Sequence, residues 1–347
     1  MSYEVREYSV DIGVSIDYYI CILFYLKCSF ENPKHTMKYL DFCESVRLKL
    51  NDLVDSGTTV RIQKVLKNNN IVRYAAIITE EDSTISPSIY LENYYSDYIN
   101  GQSLSYICSD ILSMHKKYRG GINFNIDDYF DYNFVKDKIY LKAINRERNE
   151  EFLKGVPYKD FSDLAIVAYI AYEDEGSGYA TITLNYKNLE MWDVTTEQIF
   201  DIAFKNMCEK TPPILEKITS VMRELLNERF KYIQDSEAKE EINRVIDLME
   251  ENNDTSMYML SNNKKINGAS YIIHEEYIRE FAQSINSDLY IIPSSIHELL
   301  LIPMDSGVMI EELECMVRDV NNSELSPGEV LSDRVYEFYR DKGFVDN

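Results

Sequence analysis

Leu164-Ala165-Ile166-Val167-Ala168-Tyr169-Ile170-Ala171-Tyr172 is a nine-residue run without a single charge. It is too short for a typical helix and is closed by Glu173-Asp174-Glu175-Gly176-Ser177-Gly178, so it predicts a central strand buried on both faces. The turn leads into residues 179–184, which completes a hairpin. Residues 189–194 then close a short helix, and Thr195-Thr196-Glu197-Gln198 has the pattern of a capping box. In such a box the Thr hydroxyl accepts from the third helical N–H while the Gln side chain returns to the cap. The helix it opens continues through Ile199, Ile202, Ala203 and Met207.

The same grammar occurs upstream. Residues 38–54 carry Leu40, Val46, Leu50, Leu53 and Val54 at helical spacing. Residues 58–66 and 71–79 read as strands joined by Asn68-Asn69-Asn70, and Asn tolerates the left-handed turn conformation that a hairpin needs. Residues 88–91 make a third short strand. Gly101 breaks the chain before a helix over residues 103–115, striped by Leu104, Ile107, Cys108, Ile111 and Leu112. A third hairpin-plus-helix is predicted at residues 257–260, 269–273 and 275–285. Short antiparallel hairpins alternating with helices define an α+β fold, here expected to repeat a hairpin–helix module.

Between the second and third units, Pro212-Pro213 suits a helix entry, because a first-turn residue needs no N–H donor. Ile214, Ile218, Val221 and Leu225, then Ile242, Val245 and Ile246, keep a helical stripe broken by the charge-dense residues 235–241. Strands at residues 288–292, 299–302 and 335–339 and an acidic helix at 308–320 finish the chain. The expected organisation is an appendage at 1–36, an α+β domain with two hairpin–helix units at 37–210, a helical connector at 211–256 and a C-terminal α+β unit at 257–347.

With 59 acidic and 36 basic residues among 347, the chain carries a formal charge of −23, which argues against direct nucleic-acid binding or an anionic membrane surface. A composition 45% hydrophobic and 12% aromatic supports a sizeable core. The six cysteines are irregularly spaced with no Cys-x-x-Cys pair, which fits reduced thiols and a cytoplasmic protein. The apolar run at residues 18–26 falls short of the roughly 20 residues a membrane span needs. Glu4, Glu7, Asp11 and Asp17 do not suit a basic signal-peptide start.

Phosphate-loop patterns are absent from the sequence, and Gly120-Gly121 and Gly176-Ser177-Gly178 are accounted for as turns. His274-Glu275-Glu276 resembles half of a zinc-protease helix, but Ile278 stands where the second His belongs. Asp127, Asp128 and Asp131 lack the Gly and distal Glu of a calcium loop. No metal and no cofactor are therefore expected. Pro293-Ser294-Ser295-Ile296-His297-Glu298 places hydroxyls, an imidazole and a carboxylate within a few residues. Catalytic triads draw these groups from separate segments, so a tight corner held by Ser hydroxyls and by His297 or Glu298 is the first expectation.

Ser294, Ser295, His297 and Glu298 remain the catalytic or ligand-binding candidates of a rival hydrolase or small-ligand function. The acidic-aromatic stretches at residues 90–98 and 127–132 supply interaction candidates: Tyr90, Tyr94, Tyr95, Tyr98, Asp127, Asp128 and Asp131. Together these features predict a non-enzymatic, acidic cytoplasmic protein acting through contacts with a protein partner, as an accessory or regulatory factor. An acidic mimic of nucleic acid is a third alternative. Trp192, the single tryptophan, is expected in the core.

Several segments also resemble an uncharacterised domain-of-unknown-function family of low-GC Gram-positive bacteria, especially gut clostridia, over about residues 37–340. They are Gln63-Lys64-Val65-Leu66-Lys67-Asn68-Asn69, Ile85-Ser86-Pro87, Asp163-Leu164-Ala165-Ile166-Val167 and Leu189-Glu190-Met191-Trp192-Asp193-Val194-Thr195. Met257-Tyr258-Met259-Leu260-Ser261-Asn262, Ser294-Ser295-Ile296-His297-Glu298 and Glu329-Val330-Leu331-Ser332-Asp333 complete the set. The resemblance brings no catalytic residues with it. It implies a domain start near Met37, and a glycine where this chain has Asp193, so a positive φ is expected there. Deleting residues 1–36 is expected to leave a folded protein, checked by circular dichroism and a cooperative melt of the shortened chain.

Overall fold

A computed structural model describes residues 37–81, 86–118, 126–174, 178–229, 236–251, 257–323 and 325–345. The expected appendage, residues 1–36, lies outside them. Asn69 and Asn70 adopt φ of 58° and 57°, and there the chain reverses between β1 (Thr59–Leu66) and β2 (Val72–Thr79). The pairing runs from Leu66↔Val72 to Thr59↔Thr79, as the Asn-rich turn predicts. β3 (Ser88–Tyr90) adds to β2. Helices α1 (Tyr39–Leu53), α2 (Glu92–Ile99) and α3 (Leu104–Tyr118) pack with this sheet around Phe42, Val46, Leu50, Ile78, Ile107 and Ile111.

Two expectations are corrected here. Leu40 and Leu53 are 57% and 50% exposed, and Phe42 and Cys43 take their place in the buried stripe. At 3.6 residues per turn, Leu40 stands about a sixth of a turn outside the buried arc, and Leu53 lies in the final turn. The tyrosine-rich residues 92–99 form a helix that the acidic spacing did not suggest.

β4 (Ile139–Asn145), β5 (Tyr158–Phe161), β6 (Leu164–Asp174) and β7 (Gly178–Thr183) make the second sheet. The apolar run becomes its middle strand, with residues 164–170 all buried. β4 pairs along one edge of β6, and β5 and β7 share the other. α4 (Tyr186–Trp192) ends at Asp193, whose φ of 53° matches the left-handed turn expected there. α5 (Thr196–Lys210) opens with the predicted capping box. Its Ile199, Phe200, Ala203 and Met207 meet Leu141, Ala143, Ile166 and Ala168 in the main core.

The remaining strands are β8 (Pro213–Lys217), β9 (Tyr258–Asn262), β10 (Leu289–Ile292), β11 (Leu299–Pro303), β12 (Tyr336–Tyr339) and β13 (Gly343–Val345). They form one antiparallel sheet in the order β13-β12-β10-β11-β9-β8. The helices of this region are α6 (Ile218–Arg229), α7 (Ser236–Glu251), α8 (Glu275–Ser284) and α9 (Ile310–Ser323). Alternation divides the strands between two cores. Leu289, Ile291, Leu299 and Leu301 face the main core, whereas Ile292, Leu300 and Ile302 pack with Ile218 of α6 and Leu313, Met316 and Val317 of α9.

Pro212-Pro213 does not enter a helix, because Pro213 begins an outer strand, where a missing N–H donor is tolerated. Residues 269–273 are not the second arm of a hairpin. They lie in a buried 3-10 helix, Gly268–Ile273, and β9 pairs with β8 and β11 instead. An apolar run buried all round has no period that separates strand from helix. Gly268 also lies against β9 and the turn after β10, since a Cβ there would sit 2.3 Å from Ser261 Oγ and 2.6 Å from His297 O. β4, β5 and β13 have no counterpart in the sequence-based assignment.

The hairpin tip docks through amides. Asn69 N donates to Asn149 Oδ1 at 2.9 Å, and Asn149 Nδ2 donates back to Asn69 Oδ1 at 3.0 Å and to Asn145 O at 2.8 Å. Asn69 Nδ2 bonds the carbonyls of Pro327 and Val330, Asn68 Nδ2 bonds that of Gly328, and Asn145 Nδ2 bonds that of Leu331. Asp163 accepts from Ser332 Oγ at 2.7 Å and from the Tyr336 hydroxyl at 2.5 Å. Asn149 is 2% exposed, so removing its amide strands buried partners out of reach of water. Asn149→Leu is expected to cost about 3 kcal/mol of stability in urea titrations; a loss below about 1 kcal/mol would show that the amide pair does not hold the tip.

Candidate functional site

The turn between β10 and β11 holds the catalytic candidates. Ser295 is 3% exposed, and its Oγ accepts from His297 N at 3.0 Å. Ser295 N bonds Glu298 O, and Ser294 N bonds Ile292 O. The imidazole is engaged as well, because His297 Nδ1 accepts from Asn267 N at 3.2 Å. His297 O accepts from Ser261 Oγ at 2.8 Å. The hydroxyl and the ring nitrogen thus act on backbone donors, as expected of a pinned corner. His274, the lone half of the zinc pattern, caps α8 by accepting from Tyr277 N at Nδ1, with its ring near Phe204 and Tyr271. Among the described residues there is no group of three or more His, Cys, Asp or Glu side chains placed to hold a metal ion.

The tyrosine candidates are built into the first unit. The Tyr94 hydroxyl donates to Asp110 and the Tyr95 hydroxyl to Met37 O. Tyr95 and Tyr98 pack on Phe42, and the Tyr90 ring lies 4.5 Å from Lys67 Nζ. Burial, followed by the Asp110 carboxylate, pushes the Tyr94 phenol up from its ordinary value.

The second acidic stretch turns its residues in two directions. Tyr129 and Tyr132 point inward to Trp192, whose Nε1 donates to Tyr129 O at 3.1 Å. Asn188 Nδ2 donates to the Tyr129 hydroxyl at 2.5 Å. Phe130 and Phe134 point outward and are 56% and 57% exposed. Asp131 caps the short helix Tyr132–Val135 by accepting from Asn133 N, and its own N–H bonds Asp128 O. The side chain of Asp127 lies outside the described residues.

A cleft of about 240 Å³ opens beside β4 and the 3-10 helix Gly268–Ile273. Tyr140 and Tyr169 face each other across β4 and β6 with ring centres 6.0 Å apart and form one wall. Lys210, Thr211, Asn262, Lys264 and Ser270 contribute polar lining, and no Asp or Glu joins them among the described residues. Asn262 shapes the wall by bonding the backbone of Lys264 and Ile266. The Ser294–Glu298 turn supports that wall from behind through Ser261 and Asn267.

Lys142 lies on the same strand face as Tyr140. Its Nζ donates to Thr183 Oγ1 at 3.0 Å and stands 5.8 Å from the Tyr169 ring centre. Desolvation, followed by repulsion from Lys67, pushes its ammonium down to about 8. These residues escape a reading of the sequence that leaves β4 unassigned. The alternation of Ile139, Leu141 and Ala143 with Tyr140 and Lys142 was the signal available.

Four of the seven segments quoted for the family resemblance meet in space. Lys67-Asn68-Asn69, Asp163 and Gly328-Glu329-Val330-Leu331-Ser332 meet at the hairpin-tip junction, and Ile296 N of the Ser294–Glu298 turn bonds Glu329 O there. Residues 39–340 match one family. The chain belongs to the Family of unknown function (DUF5688). No curated protein and no solved structure matches it.

The family assignment leaves chemistry to the site itself, where Lys142 gives a direct handle. An unfolded lysine holds its proton up to about 10.5 and the folded one only to about 8, so between these values the unfolded state binds more protons and stability rises with pH. Lys142→Met is therefore expected to stabilise the protein by about 2 kcal/mol below pH 8, a gain that fades towards pH 10.5. Urea unfolding of both chains across pH 6.5–10.5 checks it.

Proposed function

We propose that this protein works by holding a partner protein, with a basic amphipathic segment of that partner docking on Phe130 and Phe134. The observation that carries this is the outward display of two phenylalanines, each more than half exposed, from a segment anchored on Trp192. Aromatic side chains held on a rigid support suit an interface anchor, since little freedom is lost on binding. Asp128, Asp131 and Asp137 lie in the same segment of a chain with net charge −23, which favours a cationic partner. The proposal includes an accessory or regulatory role in a bacterial cytoplasm, in keeping with Cys43 and Cys108 as buried free thiols.

The geometry favours contact over hydrolysis at Ser294–Glu298, because Ser295 Oγ and His297 Nδ1 both serve backbone donors. Mimicry of nucleic acid needs an unbroken carboxylate stripe. Here Arg47 pairs with Glu44, Lys154 with Glu151, Arg279 with Glu275 and Arg318 with Glu314, so cations interrupt the acidic faces.

Trp192 fluorescence gives a local readout beside the proposed surface. Titration with a synthetic Leu/Lys amphipathic helix is expected to give a saturable change, weakened at least tenfold by combining Phe130→Ser, Phe134→Ser and Asp131→Asn and unaffected by His297→Ala. An undiminished affinity in the triple variant would overturn the proposal. Ester or phosphoester turnover abolished by His297→Ala would establish the hydrolase instead.

A further inference from the structure

Lys142 is a part-buried cation without a counter-charge. An ammonium has three donors, and the protein supplies one acceptor, Thr183 Oγ1. No Asp or Glu of the described residues pairs with it within 4.0 Å, although the chain has 59 of them. The charge that acts on it is a second cation, Lys67, on the β1–β2 hairpin whose Asn69 docks on Asn149 beside the end of β4. Both ammonium groups lie over tyrosine rings, Lys67 over Tyr90 at 4.5 Å and Lys142 near Tyr169 at 5.8 Å. Holding two like charges together in a partly desolvated place is unfavourable unless something neutralises them. Tyr169 also forms a wall of the adjoining 240 Å³ cleft, whose described lining includes Lys210 and Lys264 and no Asp or Glu.

We infer that Lys142 and Lys67, with the Thr183 hydroxyl, bind the phosphoryl group of a small phosphomonoester whose planar remainder lies against Tyr169 and Tyr140 in the cleft. Two ammonium donors and a hydroxyl suit an oxyanion with several acceptor oxygens. The facing aromatic rings suit a flat group of modest size, since the cleft has room for roughly a single ring. The site requires both the second sheet and the N-terminal hairpin, so an occupied site ties Lys67 to β4 alongside the amide junction. This inference is independent of the Phe130–Phe134 surface.

Isothermal titration of the full chain with inorganic phosphate and with phenyl phosphate, at constant ionic strength in a chloride buffer, tests it. Both anions are expected to bind, phenyl phosphate more tightly. Lys142→Met and, separately, Lys67→Met should weaken both by at least tenfold, while Lys187→Met changes neither. Tyr169→Leu should remove the preference for phenyl phosphate and leave inorganic phosphate bound. Lys67 is exposed, so its variant tests the site without disturbing buried packing. Undetectable binding at millimolar concentrations, or equal affinity in wild type and Lys67→Met, would overturn the assignment.

Discussion

The reciprocal amide pair between Asn69 and Asn149 is the constraint on which the relation between the sheets depends. Each side chain accepts from the other residue or donates to it, and the remaining donors go to the carbonyls of residues 145, 327 and 330. Backbone carbonyls in a loop such as 327–331 have no ladder to satisfy them, so without these amides those of the buried Val330 and Leu331 would be left unpaired. The tip in turn depends on Asn69 and Asn70 at positive φ, which short polar side chains tolerate and β-branched ones do not. A local conformational preference is thereby converted into a contact 260 residues distant in the chain.

Away from that junction the molecule is organised by apolar layers. The central strands of the six-stranded sheet are buried on both faces because they alternate between two different cores, so β10 and β11 read as almost continuously apolar. The 3-10 helix Gly268–Ile273 inserts between this sheet and β4, and the Tyr271 hydroxyl lies 3.0 and 2.7 Å from the carbonyls of Met207 and Thr211 at the end of α5. Met207 O already accepts from Thr211 N, whereas Thr211 O is among the orphan acceptors a helix terminus leaves, and the buried phenol serves it. The same insertion, braced by the His297 corner, forms one side of the cleft.

Two surfaces follow from this packing, and they differ in physical character. The Phe130–Phe134 segment is an apolar projection in acidic surroundings, suited to burying area against a cationic partner. The Lys142–Lys67 pair concentrates positive charge in a strongly negative chain, where the lack of a described carboxylate paired with Lys142 matters more than the number of lysines. A chain of charge −23 repels free anions at long range, so an anion bound at Lys142 is held by short-range contacts and not by steering.

Local chemistry in the sequence determined the Asn-rich hairpin, the capping box at Thr195, the left-handed Asp193 and the buried middle strand, because each is decided by a few adjacent residues. It also marked Ser294–Glu298 as a corner, since the Ser295 hydroxyl bonds the nearby His297 N–H, whereas the partner of the imidazole, Asn267 N, comes from a distant segment. Tertiary structure decided the rest. Residues 269–273 have the composition of a strand, and only their burial from all sides makes them a 3-10 helix. Lys142 looks like any solvated lysine until the hairpin brings Lys67 towards it and Tyr169 and Thr183 take the place of water. Charge state and exposure are properties of neighbours in space, and those neighbours are brought by segments the sequence holds far apart.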